Sequence, residues 1–296
     1  MNQISSVLLD FLTLFTSIIV EAMPFILLGI SFSILVSLFM NDKMVLKIKN
    51  ANPLVRMPLI GLVGVFMPVC ECGNVPIARR LLQNKFSISE TTVFLVAAPI
   101  VNPITFISTY QAFNFDPSIA WLRISLGYLM AITAGLLFLR SHRSKYIEEK
   151  FENLCKDHAH YESKAKKAID IFSSEFILLI KMLFLGAFIA SAIQILVPRE
   201  IIASLNNNII LSILAMMVLA FVVSICSNID AFFALSFSNI FPSSSLLAFM
   251  LFGPVIDIKM LTLLKSTFKN RYLVKLSIVI FVFVLIACLG VSVVKK

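Results

Sequence analysis

Eight apolar runs, each cut or closed by a short polar break, constrain this chain more than any other feature. They cover roughly 7–40, 58–69, 91–113, 118–139, 171–197, 209–225, 246–264 and 274–294. A helix needs about 20 apolar residues to cross the hydrocarbon core of a bilayer, and several runs reach that length. A soluble fold has no means of covering so much apolar surface. Of 296 residues, 59% are hydrophobic and 14% charged, against about 45–50% and about 25% in soluble domains. Disorder, collagen-like repeats and a disulfide scaffold are excluded on the same ground. An all-α polytopic protein of the cell membrane is expected. The N-terminus shows no basic segment followed by a small-residue cleavage site, so no cleavable signal peptide is expected.

The few charges are placed informatively. Lys and Arg number 25 against 16 Asp and Glu, for a net charge of +9. They fall mainly between the apolar runs, as in cytoplasmic loops, and no nucleic-acid motif accompanies them. If all eight runs cross the membrane, the loop basic residues divide 13 to 9. If the two short runs that end in Cys-x-Asn are re-entrant hairpins, one face collects 19 and the other only Arg199, Lys295 and Lys296. The positive-inside rule favours the second arrangement, with Arg79 and Arg80 read as inside-facing anchors. Each half then has about three spans plus a re-entrant or broken hairpin, and the halves point in opposite directions.

Order and spacing support this duplication. Each half runs from a plain span to a run ending in Cys-x-Asn, a span broken at Pro and a second plain span. Residues 86–99 align without gaps on 241–254, an offset of 155 with four shared residues, and Asn102 falls on Asp257. One residue of slippage places Cys72-Gly-Asn74 on Cys226-Ser-Asn228. The expected organisation is an N-terminal repeat over 1–140, a charged cytoplasmic linker over 141–170 and a C-terminal repeat over 171–296.

Chemistry concentrates at the breaks. Non-helical backbone at membrane depth survives only where protein buries it or a wet cavity receives it. The breaks carry Cys70, Glu71, Cys72, Asn74, Asn102, Cys226, Asn228, Asp230 and Asp257, which form the candidate solute-binding set. Thiolates suit soft ions. Glu71, Asp230 and Asp257 are costly at that depth unless paired or wet, which makes them candidates for ion or proton coupling. Asn74, Asn102 and Asn228 offer polar contacts. Cys288, inside an unbroken run, reads as a small hydrophobe. Lys259 either partners Asp257 or points to the interface, and the second is the favoured reading; Lys181 poses the same choice. Cys155, His158 and His160 match no standard metal spacing and read as part of a solvated linker. Five cysteines without a framework spacing argue against structural disulfides. No catalytic triad, phosphate-binding Gly loop or zinc-protease helix is present, so neither enzymatic catalysis nor a cofactor is expected. Energy would come from an ion gradient or from a partner.

The stretch Pro68-Val-Cys70-Glu-Cys72-Gly-Asn74-Val-Pro76-Ile-Ala-Arg79-Arg80, followed by Ala98-Pro99-Ile-Val-Asn102-Pro103-Ile-Thr105, resembles the predicted permeases of the ArsP type, the YraQ-like family. Cys226-Ser-Asn228-Ile-Asp230 and Gly253-Pro254-Val-Ile-Asp257-Ile-Lys259 fit the same pattern, so the resemblance covers almost the whole chain. It implies a permease. Some members of that family are linked to export of trivalent organoarsenicals, where thiols matter. The short form seen here is similar to a Gram-positive branch described as one subunit of a two-component membrane permease complex, which implies a smaller companion membrane protein. The expected function is passage of a small solute or ion, soft metals and metalloids included, through a midplane site between inverted repeats. The alternatives are a membrane thiol-redox protein using Cys70, Cys72 and Cys226, and a non-transporting scaffold subunit.

Overall fold

The structure is a computed structural model that describes residues 2–39, 52–63, 65, 70–141, 143–149, 151, 164–196 and 208–294. The linker residues Cys155, His158 and His160 lie outside these. The described chain is helical, and its one β contact is the isolated bridge between Ile147 and Phe268. In chain order the helices are α1 (Asn2–Phe39), α2 (Pro53–Val63), α3 (Glu71–Gln83), α4 (Ile88–Ala97), α5 (Pro103–Ala112), α6 (Pro117–Leu137) and α7 (Arg143–Tyr146). They continue as α8 (Lys164–Leu196), α9 (Ile209–Val223), α10 (Asp230–Leu235), α11 (Ser243–Phe252), α12 (Ile258–Lys265) and α13 (Asn270–Val294).

Four of these helices contain stretches long and apolar enough to span a bilayer: Val7–Leu35, Pro117–Leu137, Ala168–Ile195 and Asn270–Val294. Helix α13 shows the membrane signature on both faces. Leu276, Ile280, Val284 and Cys288 pack inward at four-residue spacing, while Val274, Ile278, Val282 and Ile286 are equally apolar and exposed. A soluble helix carries polar residues on that outer face. Together with the shorter apolar helices, these spans make the chain an all-α, multi-pass membrane protein. The 11 residues of α2 reach about 16 Å, roughly half of the hydrocarbon thickness.

Local chemistry sets the helix ends. Ser87 and Glu90 form a reciprocal capping box at the start of α4. Asn102, Asp116 and Asn208 accept from backbone N–H groups at the starts of α5, α6 and α9, and Pro103 and Pro117 occupy the first helical positions. Helix α9 ends at Ser224, whose left-handed backbone (φ 53°) turns the chain into the second Cys-x-Asn break. The broken spans match at the offset of 155. Helix α4 begins at Ile88 and α11 at Ser243, they end at Ala97 and Phe252, and α5 and α12 begin at Pro103 and Ile258.

The leading helices of the two halves pack on each other. Phe11 meets Phe188 and Phe15 meets Phe184 edge to face, and Ala22, Ala187 and Ala190 are buried nearby. Helix α1 also lies along α3, and α8 along α12. The trailing helices α6 and α13 touch, and each carries the first helix of its own half's broken span, α4 or α11. Between the halves, α3 meets α12 and α10 meets α5.

One sequence expectation is corrected here. Arg79 and Arg80 are not exposed anchors; both are buried. Arg79 is held by Glu175 of α8 at 2.7 Å and by the hydroxyl of Thr267 at 2.8 Å, with its guanidinium over the Phe151 ring. Without these two residues the charge tally expected for the hairpin arrangement is 17 to 3. The first apolar run is one continuous helix that passes through Pro24.

Candidate functional site

The first break places Cys70 as the extended residue before α3, so that Glu71, Cys72 and Asn74 fall in the first turns of that helix. The carbonyl of Cys70 accepts from the N–H groups of Gly73 and Asn74, which fixes the turn. A carboxylate at the first helical position is favoured by the unpaired N–H groups around it. The second break leaves α9 at Ser224 and reaches Asp230, the first residue of α10, through Cys226 and Asn228. The Cys226 carbonyl closes this turn by accepting from Ile229 and Asp230.

The breaks of the two halves meet through a lysine. Lys259, the second residue of α12, donates to Glu71 Oε1 at 3.1 Å, to the Ser224 carbonyl at 3.2 Å and to Cys226 Sγ at 3.6 Å. Lys259 is 1% exposed, and Cys70, Glu71 and Cys72 are 0% exposed. The expectation that Lys259 points to the interface is therefore wrong: a buried carboxylate and a carbonyl draw it inward. A buried ion costs several kcal/mol when left alone, so the pair holds only because each charge has its partner. Cys70, Glu71 and Cys226 each offer a ligand atom, and these atoms lie within 4.8 Å of one another, forming a possible metal-binding group among the described residues. The Cys72 thiol adjoins that of Cys70.

Close helix packing seals this cluster on both sides. A Cβ added to Gly29 of α1 would stand 2.2 Å from the carbonyl oxygen of Gly73. A Cβ added to Gly186 of α8 would stand 3.2 Å from the Cα of Lys259. Glycine in each leading helix thus lets α3 and α12 approach, as small residues do between membrane helices.

The remaining candidates are distributed around this centre. Asp257 caps α12 through the N–H of Met260, and its Oδ2 has no partner among the described residues. Asn102, its counterpart at the offset of 155, caps α5 by accepting from Ile104 at 2.9 Å. Both are placed by the geometry of a broken span. Asn74 is buried, with neither amide atom partnered among the described residues, and Asn228 is half-buried in the second turn. Asp230 joins Arg123 of α6 at 2.5 Å, and Arg123 also donates to Thr109 of α5 at 2.8 Å. Asp230 therefore belongs to a second ion pair rather than to the Lys259 centre.

Sequence reasoning missed the basic members of these pairs. The first residue of each post-break helix is a carboxylate, and each is neutralised from the opposite half: Glu71 by Lys259, Asp230 by Arg123. Arg79 and Glu175 join the halves in the same way. The available signal was that Arg123 and Lys259 interrupt apolar runs, which in a membrane calls for a partner.

Comparison with known proteins identifies a family of predicted permeases. The family model ArsP_1, described as a predicted permease, matches residues 7–293. The protein YcgR of Bacillus subtilis (strain 168) is 36% identical over 282 residues, covering 95% of this chain and 96% of that protein. A protein of Streptococcus mutans serotype c, named as a two-component membrane permease complex subunit, is 34% identical over 303 aligned positions and covers 99% of both chains. No solved structure matches. With a family model spanning nearly its whole length and such relatives covered end to end, the chain belongs to the ArsP_1 family of predicted permeases.

Proposed function

We propose that this protein is a cell-membrane permease subunit that moves a small soft-metal or metalloid species through the seam between two inverted repeats. The observation that carries this reading is the convergence of the two breaks, which gathers Cys70, Glu71 and Cys226 with Lys259 in one sealed cluster. Broken helices that meet at a repeat interface are a common construction of solute sites in secondary transporters. The contacts of α3 with α12 and of α10 with α5 favour inverted repeats, since each half's hairpin rests on the other half's broken span. Cys72 would join Cys70 and Cys226 around the solute. Glu71, Asp230 and Asp257 would couple transport to an ion or proton gradient, and Asn74, Asn102 and Asn228 would supply polar contacts. Because the cluster is buried, loading requires the halves to part, which is the motion of alternating access.

A companion membrane subunit is part of the proposal, supported by the Streptococcus mutans relative named as a complex subunit. The test is flux in proteoliposomes across a panel of solutes, with and without the companion, alongside a deletion strain assayed for tolerance to methylarsenite, soft metals and acid. Loss of both flux and tolerance in Cys72→Ser and Asp257→Ala is expected; full complementation by both variants refutes the site. Tags at residues 50 and 84 should report the same face, and opposite faces refute the hairpin topology. The proximity of Cys70 and Cys226 also favours a second reading, a membrane thiol-redox protein. That reading predicts a thiol state that follows redox poise without solute flux.

A further inference from the structure

We propose that Cys70 Sγ, Cys226 Sγ and the unpartnered oxygen of Glu71 form a binding site for one divalent soft cation, of the Zn2+ or Cd2+ class, with Lys259 as its positioning and charge-balancing residue. The inference deepens the permease reading and rests on it for the ion's passage, but not for its binding. Geometry comes first. Metal–sulfur bonds of about 2.3 Å in tetrahedral coordination set the two sulfurs roughly 3.8 Å apart. The two sulfurs and one carboxylate oxygen of Glu71 already lie within 4.8 Å of one another, so closing on an ion takes a contraction of about 1 Å or less. Two sulfurs and one oxygen select a soft or borderline ion over Mg2+ or Ca2+, which require oxygen ligands.

The Glu71 carboxylate is divided between two tasks. Its Oε1 is held by Lys259, while its Oε2 is buried without a partner among the described residues. Lys259 therefore fixes the carboxylate and leaves one oxygen for a ligand, and it touches the Cys226 sulfur as well. Formal charge then selects the valence. Empty, the set holds two neutral thiols, a carboxylate and an ammonium, which sum to zero. When the ion enters, each thiol gives its proton to solvent as the metal–sulfur bond forms. Two thiolates and a carboxylate against a divalent ion and an ammonium again sum to zero. With both sulfurs bound as thiolates, a monovalent ion leaves one negative charge in excess, and so does a divalent ion in the absence of Lys259. Uncompensated charge is expensive in so buried a site. One divalent ion in place of two protons keeps the seam neutral in both states.

The test is a Cd2+ titration of the full chain in detergent, reduced and stripped of metal, followed by the ultraviolet thiolate-to-metal charge-transfer band. A Cys155→Ser background removes the linker thiol. One ion per chain is expected, with a band of two thiolates that halves in Cys70→Ser and in Cys226→Ser. If Cys226→Ser does not fold, Cys70→Ser tests the same set from the other half. Lys259→Met should weaken binding about 10–100-fold, as loss of a residue that orients a ligand does, and Lys259→Arg should restore most of it. No thiolate band, a band undiminished in both Cys70→Ser and Cys226→Ser, or unchanged affinity in Lys259→Met overturns the proposal. Solute flux without Cd2+ binding refutes the metal site alone. Cd2+ binding as described without flux of any solute refutes the permease reading and leaves the site standing.

Discussion

Replacing Gly29 by Ala tests how closely α1 must approach the first break. The new Cβ would stand 2.2 Å from the Gly73 carbonyl oxygen and 2.7 Å from its Cα, where ordinary contact begins near 3.4 Å. The obstacle is backbone, so no side chain can rotate away and the two helices must separate by about 1 Å. Overpacking of this kind costs about 1–3 kcal/mol, or roughly 2–10 °C in melting temperature at the scale of soluble domains. Gly73 follows Cys72 and lies two residues from Glu71, so the same displacement opens the cluster. The assay is thermal unfolding of the purified protein in detergent, paired with the rate at which a small maleimide labels Cys70 and Cys72. Gly290→Ala is the control: nothing lies within 4 Å of the added Cβ, and alanine favours helix over glycine by about 1 kcal/mol. Earlier melting with faster labelling is expected for Gly29→Ala and neither for Gly290→Ala. If Gly29→Ala melts and labels like the wild type, the close approach is not what seals the site.

Other perturbations probe the remaining contacts between the halves. Asp230→Ala strands the Arg123 guanidinium and should destabilise the protein by about 3–5 kcal/mol, while Arg123→Met with Asp230→Leu should recover most of the loss in a melting experiment. Equal loss in the single and double variants would show that the charges are not coupled. Arg79→Met removes the bonds to Glu175 and Thr267 and the stacking on Phe151, and should lower the melting temperature more than Lys265→Met, whose side chain is exposed. A mild two-electron thiol oxidant should join Cys70 to Cys226, detectable as a linked peptide by mass spectrometry, and should stop flux until a dithiol reductant is added. A Cys70–Cys72 link in its place would contradict the observed convergence of the two breaks.

Much of the architecture was legible because a bilayer imposes its own ruler. Runs such as 118–139 and 274–294 had to become spans, since lipid satisfies no backbone group and only a helix of that length satisfies its own. The breaks at Pro99 and Pro254 were legible for a related reason: proline cannot continue an unaltered helix, and Asn102 and Asp257 restart the chain as caps. The resemblance resting on those breaks led to the right family.

Partnership was not legible. Glu71 and Lys259 are 188 residues apart, and Arg123 and Asp230 are 107 apart. Periodicity reports which face of a helix is apolar; it carries nothing about which distant charge will arrive there. The positive-inside rule counts charges without asking whether they are solvated, so it assigned Arg79 and Arg80 to a surface that they do not occupy. Lys259 was misread for the same reason, because a long basic side chain near a break reaches water as readily as a buried carboxylate until the fold removes the water. The amino-acid sequence determined the solvent, the spans and the places where polar groups interrupt them. The tertiary structure alone decided that Cys70, Glu71, Cys226 and Lys259 share one buried cluster, because neutralising a buried charge requires another part of the chain to be brought to it.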